Sequence, residues 1–142
     1  MTPTQKTLVR NSFALITDVD LAANLFYGRL FELDSRLRPL FKGDMKEQGR
    51  KLMSMIALAV ASLDRLDTII APVRRMGAHH ANYGVRDEHY ATVAAALLWT
   101  LRQALGSVFT GETETAWVAV YTLLADQMKA GAAEAASKAL VA

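Results

Sequence analysis

Apolar residues recur every three or four positions along most of this chain, which is the pattern of amphipathic helices. The clearest predicted helix spans about Lys46 to Leu63, with Arg50 and Lys51 off its apolar face. That face is formed by Leu52, Met55, Ile56, Ala59, Val60 and Leu63. Prolines occur only at positions 3, 39 and 72, and no segment shows the alternation typical of a strand. The pattern therefore predicts an all-α fold.

The rest of the chain divides into further predicted helices. Two early helices, which carry Phe13 and Phe31, follow each other almost without a loop, and Asp18 or Asp20 is expected to cap the second. The later segments are a short helical turn over Asp34–Phe41 and helices over about Asp67–Ala81, Asp87–Leu105 and Gly111–Lys129. Pro72 predicts an irregular or broken helix start, and the predicted N-caps of the last two helices are Asp87 and Thr110. Residues 131–142 are expected either to extend the last helix or to fray.

Composition and charge exclude several classes of protein. The 142 residues fit one domain spanning 1–142, and 52% hydrophobic with 21% charged residues is a balance typical of a globular chain. The formal charge is only +2 and the basic residues are scattered, so no nucleic-acid surface is predicted. No stretch approaches the roughly twenty apolar residues of a membrane span, and the N-terminus lacks a signal-peptide pattern. Because the chain has no cysteine, we exclude disulfides and thiolate metal sites and expect a cytoplasmic protein.

Three histidines are the candidate metal ligands. His80 is predicted to point inward, because residues at spacings of four, three and four place it on one apolar helix stripe. The stripe comprises Ile69, Val73, Met76 and His80. His79 lies about 100° further round the helix and is predicted to face solvent or a pocket rim, while His89 has no apolar neighbours in phase. An inward histidine is either a hydrogen-bonded core residue or a ligand. One histidine cannot form a zinc site, whereas haem brings its own four equatorial nitrogens.

Several separated motifs resemble those of bacterial single-domain globins and of the globin part of flavohaemoglobins. The proximal motif is His80-Ala81-Asn82-Tyr83-Gly84-Val85, followed by Asp87 and by His89-Tyr90. The distal motifs are Leu25-Phe26-Tyr27, Leu30-Phe31, Leu40-Phe41 and Gln48-Gly49-Arg50-Lys51-Leu52-Met53. Ala116-Trp117 and Tyr121 resemble the last helix of the same family. The resemblance covers roughly residues 5–130 in matching order. It implies a globin fold, a 3-over-3 helical sandwich around haem b.

The resemblance also implies a role for each matching residue. His80 becomes the proximal iron ligand, and Tyr27 and Gln48 become the distal hydrogen-bonding pair. Phe41 becomes the ring that stacks on the haem, and Leu52, one turn after Gln48, becomes the apolar wall over the iron. The further expected haem contacts are Met55, Met76, Val85 and Tyr90.

Each of these residues also has an ordinary interpretation. Without the resemblance, Tyr27 is an amphipathic core residue with its hydroxyl at the surface, and Gln48 is a solvated surface amide. Methionine at helical spacing is usually core filler, and an axial methionine ligand is the alternative.

One position departs from the family pattern. Tyr90 resembles a tyrosine that orients the ligand histidine and that pairs with a glutamate on the last helix. Aligning Trp117 and Tyr121 places that glutamate position near Ala132, and the nearest carboxylate, Glu134, is out of phase by two residues. This departure argues against strongly electron-donating, peroxidase-like chemistry.

The implied function is reversible binding of dioxygen, and also of carbon monoxide and nitric oxide, for storage, delivery or scavenging. Bound dioxygen carries partial negative charge, so hydrogen bonds from Tyr27 and Gln48, worth about 1–2 kcal/mol each, are expected to slow its release. The first alternative is a nitric oxide dioxygenase that uses a separate reductase, because the chain has no GxGxxG fingerprint. A haem-based gas or redox sensor and a haem-free helical scaffold are the remaining alternatives. We assign no catalytic residues and expect a monomer or a weak homodimer.

Overall fold

The described part of the chain consists of helices and short connections. The computed structural model describes residues 1–141, and side chains to residue 138. The α-helices are α1 Pro3–Ala14, α2 Val19–Leu33, α3 Met45–Ala61, α4 Ile70–Asn82, α5 His89–Leu105 and α6 Gly111–Val141. Short 3₁₀ helices lie at Ser35–Leu40, Leu66–Ile69 and Gly106–Val108. No strand occurs among residues 1–141, so the predicted all-α class is confirmed.

Polar side chains at the helix starts explain where several helices begin. Thr2 and Gln5 form a reciprocal capping box before α1. The Asp18 carboxylate accepts a hydrogen bond from the Leu21 N–H at 3.0 Å, so Asp18 and not Asp20 caps α2. Asp44 caps α3 in the same way, and the Thr110 hydroxyl accepts from the Thr113 N–H before α6, as predicted.

The structure determines three boundaries that the sequence left open or placed wrongly. Asp87 does not cap α5, which begins at His89 without a side-chain cap, because the His89 and Tyr90 N–H groups donate to the main-chain carbonyls of Arg86 and Asp87. The helix predicted from Asp67 is a 3₁₀ turn followed by α4, an arrangement that places Pro72 in the first turn of α4 where its missing N–H costs nothing. The last helix continues to Val141, beyond the end predicted near Lys129, and residue 142 lies outside the described residues.

Two apolar clusters form most of the core. The larger one joins α1, α3, α5 and α6, and its buried members are Val9, Val60, Leu63, Leu101, Leu105, Ala116, Trp117 and Val120. Inside it, the Trp117 indole N–H donates to the Ser12 hydroxyl at 2.9 Å, which satisfies a buried donor. The second cluster lies between α2, the Ser35–Leu40 turn and α5, and its buried members are Phe26, Tyr27, Leu30, Leu37 and Ala96.

α3 and α4 meet near the turn that joins them, and both helices carry residues of the candidate site. Near the connection, Ala59 of α3 clusters with Val73 of α4. Gln48 lies two turns before Met55 on α3, and His80 lies two turns after Val73 on α4, so both lie away from this contact. None of the helices within residues 1–141 combines the length and apolar character that a membrane span requires.

Candidate functional site

His80 lies in the last turn of α4 and is half-buried, as the apolar stripe predicts. Its Nδ1 lies 2.6 Å from the Met76 carbonyl oxygen. Because a carbonyl can only accept, Nδ1 carries the proton, and Nε2 is left with its lone pair for another partner. Donation from one ring nitrogen to a main-chain carbonyl is the usual way in which a metal-binding histidine is oriented.

The other two histidines have local partners of a different kind. His79 is exposed, as predicted, and its ring meets the Tyr83 ring edge-on at 4.8 Å. The His89 Nδ1 accepts the Arg86 N–H at 2.9 Å at the start of α5. His89 is half-buried like His80, but because its Nδ1 accepts, its Nε2 carries the proton. His80 is the half-buried histidine whose Nδ1 donates and whose Nε2 keeps its lone pair.

Tyr27 is a buried tyrosine whose hydroxyl points toward α3. Its side chain is 8% exposed, and its hydroxyl donates to the Gln48 carbonyl oxygen over a long distance of 3.5 Å. The Phe26 ring centre lies 5.0 Å from that of Tyr27, and the Phe41 ring centre lies 5.3 Å away. Burial raises the pKa of Tyr27 to about 12, although the neighbouring Gln48 side chain opposes the rise. The hydroxyl therefore stays a neutral donor at physiological pH.

A close crossing of α2 and α3 explains why Tyr27 meets Gln48. Gly49 is buried, and a Cβ placed on it would lie 2.9 Å from the Ala23 Cβ of α2. Ala23 lies one turn before Tyr27, and Gly49 follows Gln48 directly. The two small residues let the helix backbones approach each other. This contact was not predicted from the sequence. The glycine at position 49 was the feature that could have indicated a close helix crossing.

The structure places most of the predicted distal residues together. Phe41 and Leu52 are both partly buried against the cluster that contains Tyr27. The Phe41 ring also lies 5.5 Å from that of Phe31, so aromatic contacts surround the Tyr27 ring. Tyr27, Phe41, Gln48 and Leu52 therefore form one region. Met55 packs instead against the cluster that contains Ala59 and Val73, where α3 meets α4.

Two residues near His80 are linked to it through the backbone. Met76 is half-buried and supplies the carbonyl that holds the His80 ring. The Val85 N–H donates to the His80 carbonyl at 3.1 Å, which ties the loop after α4 to the end of that helix. Gly84, with a φ of 96°, provides the left-handed backbone that this loop requires.

Tyr90 is buried between α5 and α6. The Tyr121 hydroxyl donates to the Tyr90 carbonyl at 2.6 Å, and the Lys129 ammonium lies 5.4 Å from the centre of the Tyr90 ring. Burial and the nearby Asp87 carboxylate raise the pKa of Tyr90. In the described part of the chain, no hydrogen bond joins the Tyr90 hydroxyl to His80 or to a carboxylate, and Glu134 is exposed.

Comparison with known proteins agrees with this architecture. The family model described as Globin matches residues 24–128. A flavohemoprotein of Bordetella parapertussis is 36% identical over 104 residues, which are 71% of this chain and 26% of that protein. The chain thus spans about a quarter of the length of that relative. Neuroglobin of Danio rerio is 31% identical over 121 residues, 75% of this chain and 76% of that protein.

A solved structure extends the likeness to nearly every residue. It is the engineered carbene transferase RmaNOD, a candidate nitric oxide dioxygenase from Rhodothermus marinus. It is 28% identical, and its TM-score is 0.89 with 99% of each chain covered. The family match over residues 24–128 and the agreement in fold lead to one conclusion: this chain belongs to the globin family and has the globin fold.

Proposed function

We propose that this protein is a haem globin that binds dioxygen reversibly, with His80 as the proximal ligand of the iron. The orientation of His80 supports the proposal most strongly. Its Nδ1–H is held by the Met76 carbonyl at 2.6 Å, which leaves the lone pair of Nε2 available for the iron. Haem b, once bound, would supply the iron at which a diatomic gas coordinates.

Tyr27 and Gln48 would bind a gas ligand on the distal side by hydrogen bonding. The present contact of the Tyr27 hydroxyl, at 3.5 Å from the Gln48 carbonyl, lies beyond the range of a strong hydrogen bond. Turning the hydroxyl from this carbonyl toward a ligand would therefore cost little. Burial strengthens the new bond, because few water molecules compete for the same donor.

The apolar residues would enclose the cofactor and keep water away from it. Phe41 and Leu52 border the cluster around Tyr27, while Met76 and Val85 lie beside His80. Met55 and Tyr90 would contact the haem more peripherally, since each packs mainly against other elements. A low-polarity surrounding favours retention of an apolar macrocycle and slows loss of the bound gas.

Nitric oxide dioxygenation is the second candidate function. Similarity to flavohemoproteins and to a candidate nitric oxide dioxygenase favours it. Tyr90 here lacks a carboxylate partner among the described residues, so His80 would receive less negative charge through it. Such turnover requires one electron per cycle, which a separate reductase would supply. Nitric oxide consumption measured with and without a flavin-dependent reductase separates catalysis from simple binding.

We further propose that residues 1–142 form one domain of a cytoplasmic protein that is a monomer or a weak homodimer. Carbon monoxide and nitric oxide are proposed as additional ligands, because they coordinate the same iron as dioxygen. The absence of cysteine supports the cytoplasmic location.

Absorption spectra of the protein and of two histidine variants test the main proposal. The parent protein should show a Soret band that shifts on reduction and again under dioxygen and carbon monoxide. His80→Ala should lose most of its haem, whereas His79→Ala, which removes the exposed neighbouring ring, should retain it. Equal haem content in the two variants would reject His80 as the ligand. A parent protein that takes up no added haem would reject the proposed function altogether.

A further inference from the structure

α4 and α6 touch backbone to backbone at two glycines. A Cβ atom built on Gly77 of α4 would overlap the carbonyl oxygen of Met128 in α6. A Cβ atom built on Gly131 of α6 would overlap the carbonyl oxygen of Arg74 in α4. The obstructing atoms belong to the main chain, which cannot rotate away as a flexible side chain can. Both positions therefore require glycine for this packing.

The two contacts are reciprocal and fix the helices at two points. In α4, the Arg74 carbonyl faces Gly131 and lies three residues before Gly77. In α6, the Met128 carbonyl faces Gly77 and lies three residues before Gly131. Beside them, the Arg74 Nε–H donates to the Gln127 side-chain oxygen at 2.8 Å. Two points of main-chain contact and one side-chain bond set both the spacing and the axial register of α4 against α6.

His80 is held to α4 and moves together with it. It lies three residues after Gly77, on the adjoining face of the same helix. Its ring is held to the helix through the Met76 carbonyl, and its own carbonyl is held by the Val85 N–H. A displacement of α4 from α6 therefore moves the Nε2 atom of His80.

We propose that Gly77 and Gly131 are positioning residues for His80, an inference that rests on the proposed role of His80 as the iron ligand. They act through α4, because the separation of α4 from α6 sets where Nε2 meets the iron. Alanine at either position moves α4 off α6 and changes the strength of the bond between His80 and the iron.

The test compares Gly77→Ala and Gly131→Ala with Gly28→Ala in full-length, haem-loaded protein. Gly28 is a matched control, because a Cβ at this position of α2 meets nothing within 4 Å. The iron–histidine stretching frequency of the ferrous protein, measured by resonance Raman, reports the bond directly. We expect this band to shift in both test variants, with haem loss accelerated by about tenfold. The band should be unchanged in Gly28→Ala.

The possible results separate the positioning role from general destabilisation. Lower thermal stability with an unmoved band in both variants would overturn the inference, and so would unfolding of both variants. Loss of haem by a variant whose circular dichroism still matches the parent would support it. If the parent itself binds no haem, the proposed function fails; if the parent binds haem and neither variant differs from Gly28→Ala, only the positioning role fails.

Discussion

The hydroxyl of Tyr27 is the atom whose removal best tests the proposed distal site. Tyr27→Phe deletes this oxygen and keeps the ring among Phe26, Phe31 and Phe41. The hydrogen bond lost in the resting protein is long, 3.5 Å to a main-chain carbonyl, so the free energy of unfolding should change little. The hydrogen bond lost to bound dioxygen is worth about 1.4 kcal/mol, which corresponds to a roughly tenfold faster dissociation.

Stopped-flow displacement of dioxygen by carbon monoxide measures this rate. Tyr83→Phe is the matched control, because it removes the same group from a side chain that is 57% exposed. The dissociation rate of carbon monoxide should change less than that of dioxygen, since carbon monoxide is the less polar ligand. An unchanged dioxygen rate in Tyr27→Phe, with a normal haem spectrum, would refute the assignment of Tyr27 as a hydrogen-bond donor.

Two further predictions concern stability. The folded-state pKa of Tyr27, about 12, lies above its ordinary value of 10.0. The neutral hydroxyl therefore stabilises the fold fully below pH 10, and this contribution to the free energy of unfolding is lost as the pH rises toward 12. Between pH 9 and pH 11, the free energy of unfolding measured in urea should fall by roughly 1 kcal/mol less in Tyr27→Phe than in the parent. Equal falls would contradict the burial argument. Ser12→Ala leaves the buried Trp117 N–H without its acceptor and should lower the free energy of unfolding by about 1–3 kcal/mol at neutral pH. Ser54→Ala, at an exposed helix position, is its control, and an equally small effect in both would show that water replaces the lost partner.

The sequence alone was sufficient for features that depend on neighbours within a few residues. Helix periodicity predicted the all-α class, and it also predicted that His80 faces inward while His79 faces outward. Local cap chemistry predicted Thr110 correctly, because a hydroxyl needs only the N–H groups of the next turn. It was wrong at Asp87, because the N–H groups of His89 and Tyr90 donate to main-chain carbonyls instead. The individual roles of Tyr27, Gln48 and His80 at the haem come from the family resemblance and stay predictions.

Contacts between distant residues were decided only by the tertiary structure. Periodicity identifies the apolar face of a helix, but it does not give the register at which that face meets another helix. For this reason the sequence did not indicate that Gly49 packs on Ala23, or that Gly77 and Gly131 bring α4 against α6. The same limit applies to Tyr27, whose hydroxyl meets the main chain of Gln48 because two helices cross closely. The sequence by itself thus determined which residues face the interior, and helix packing determined which of them meet.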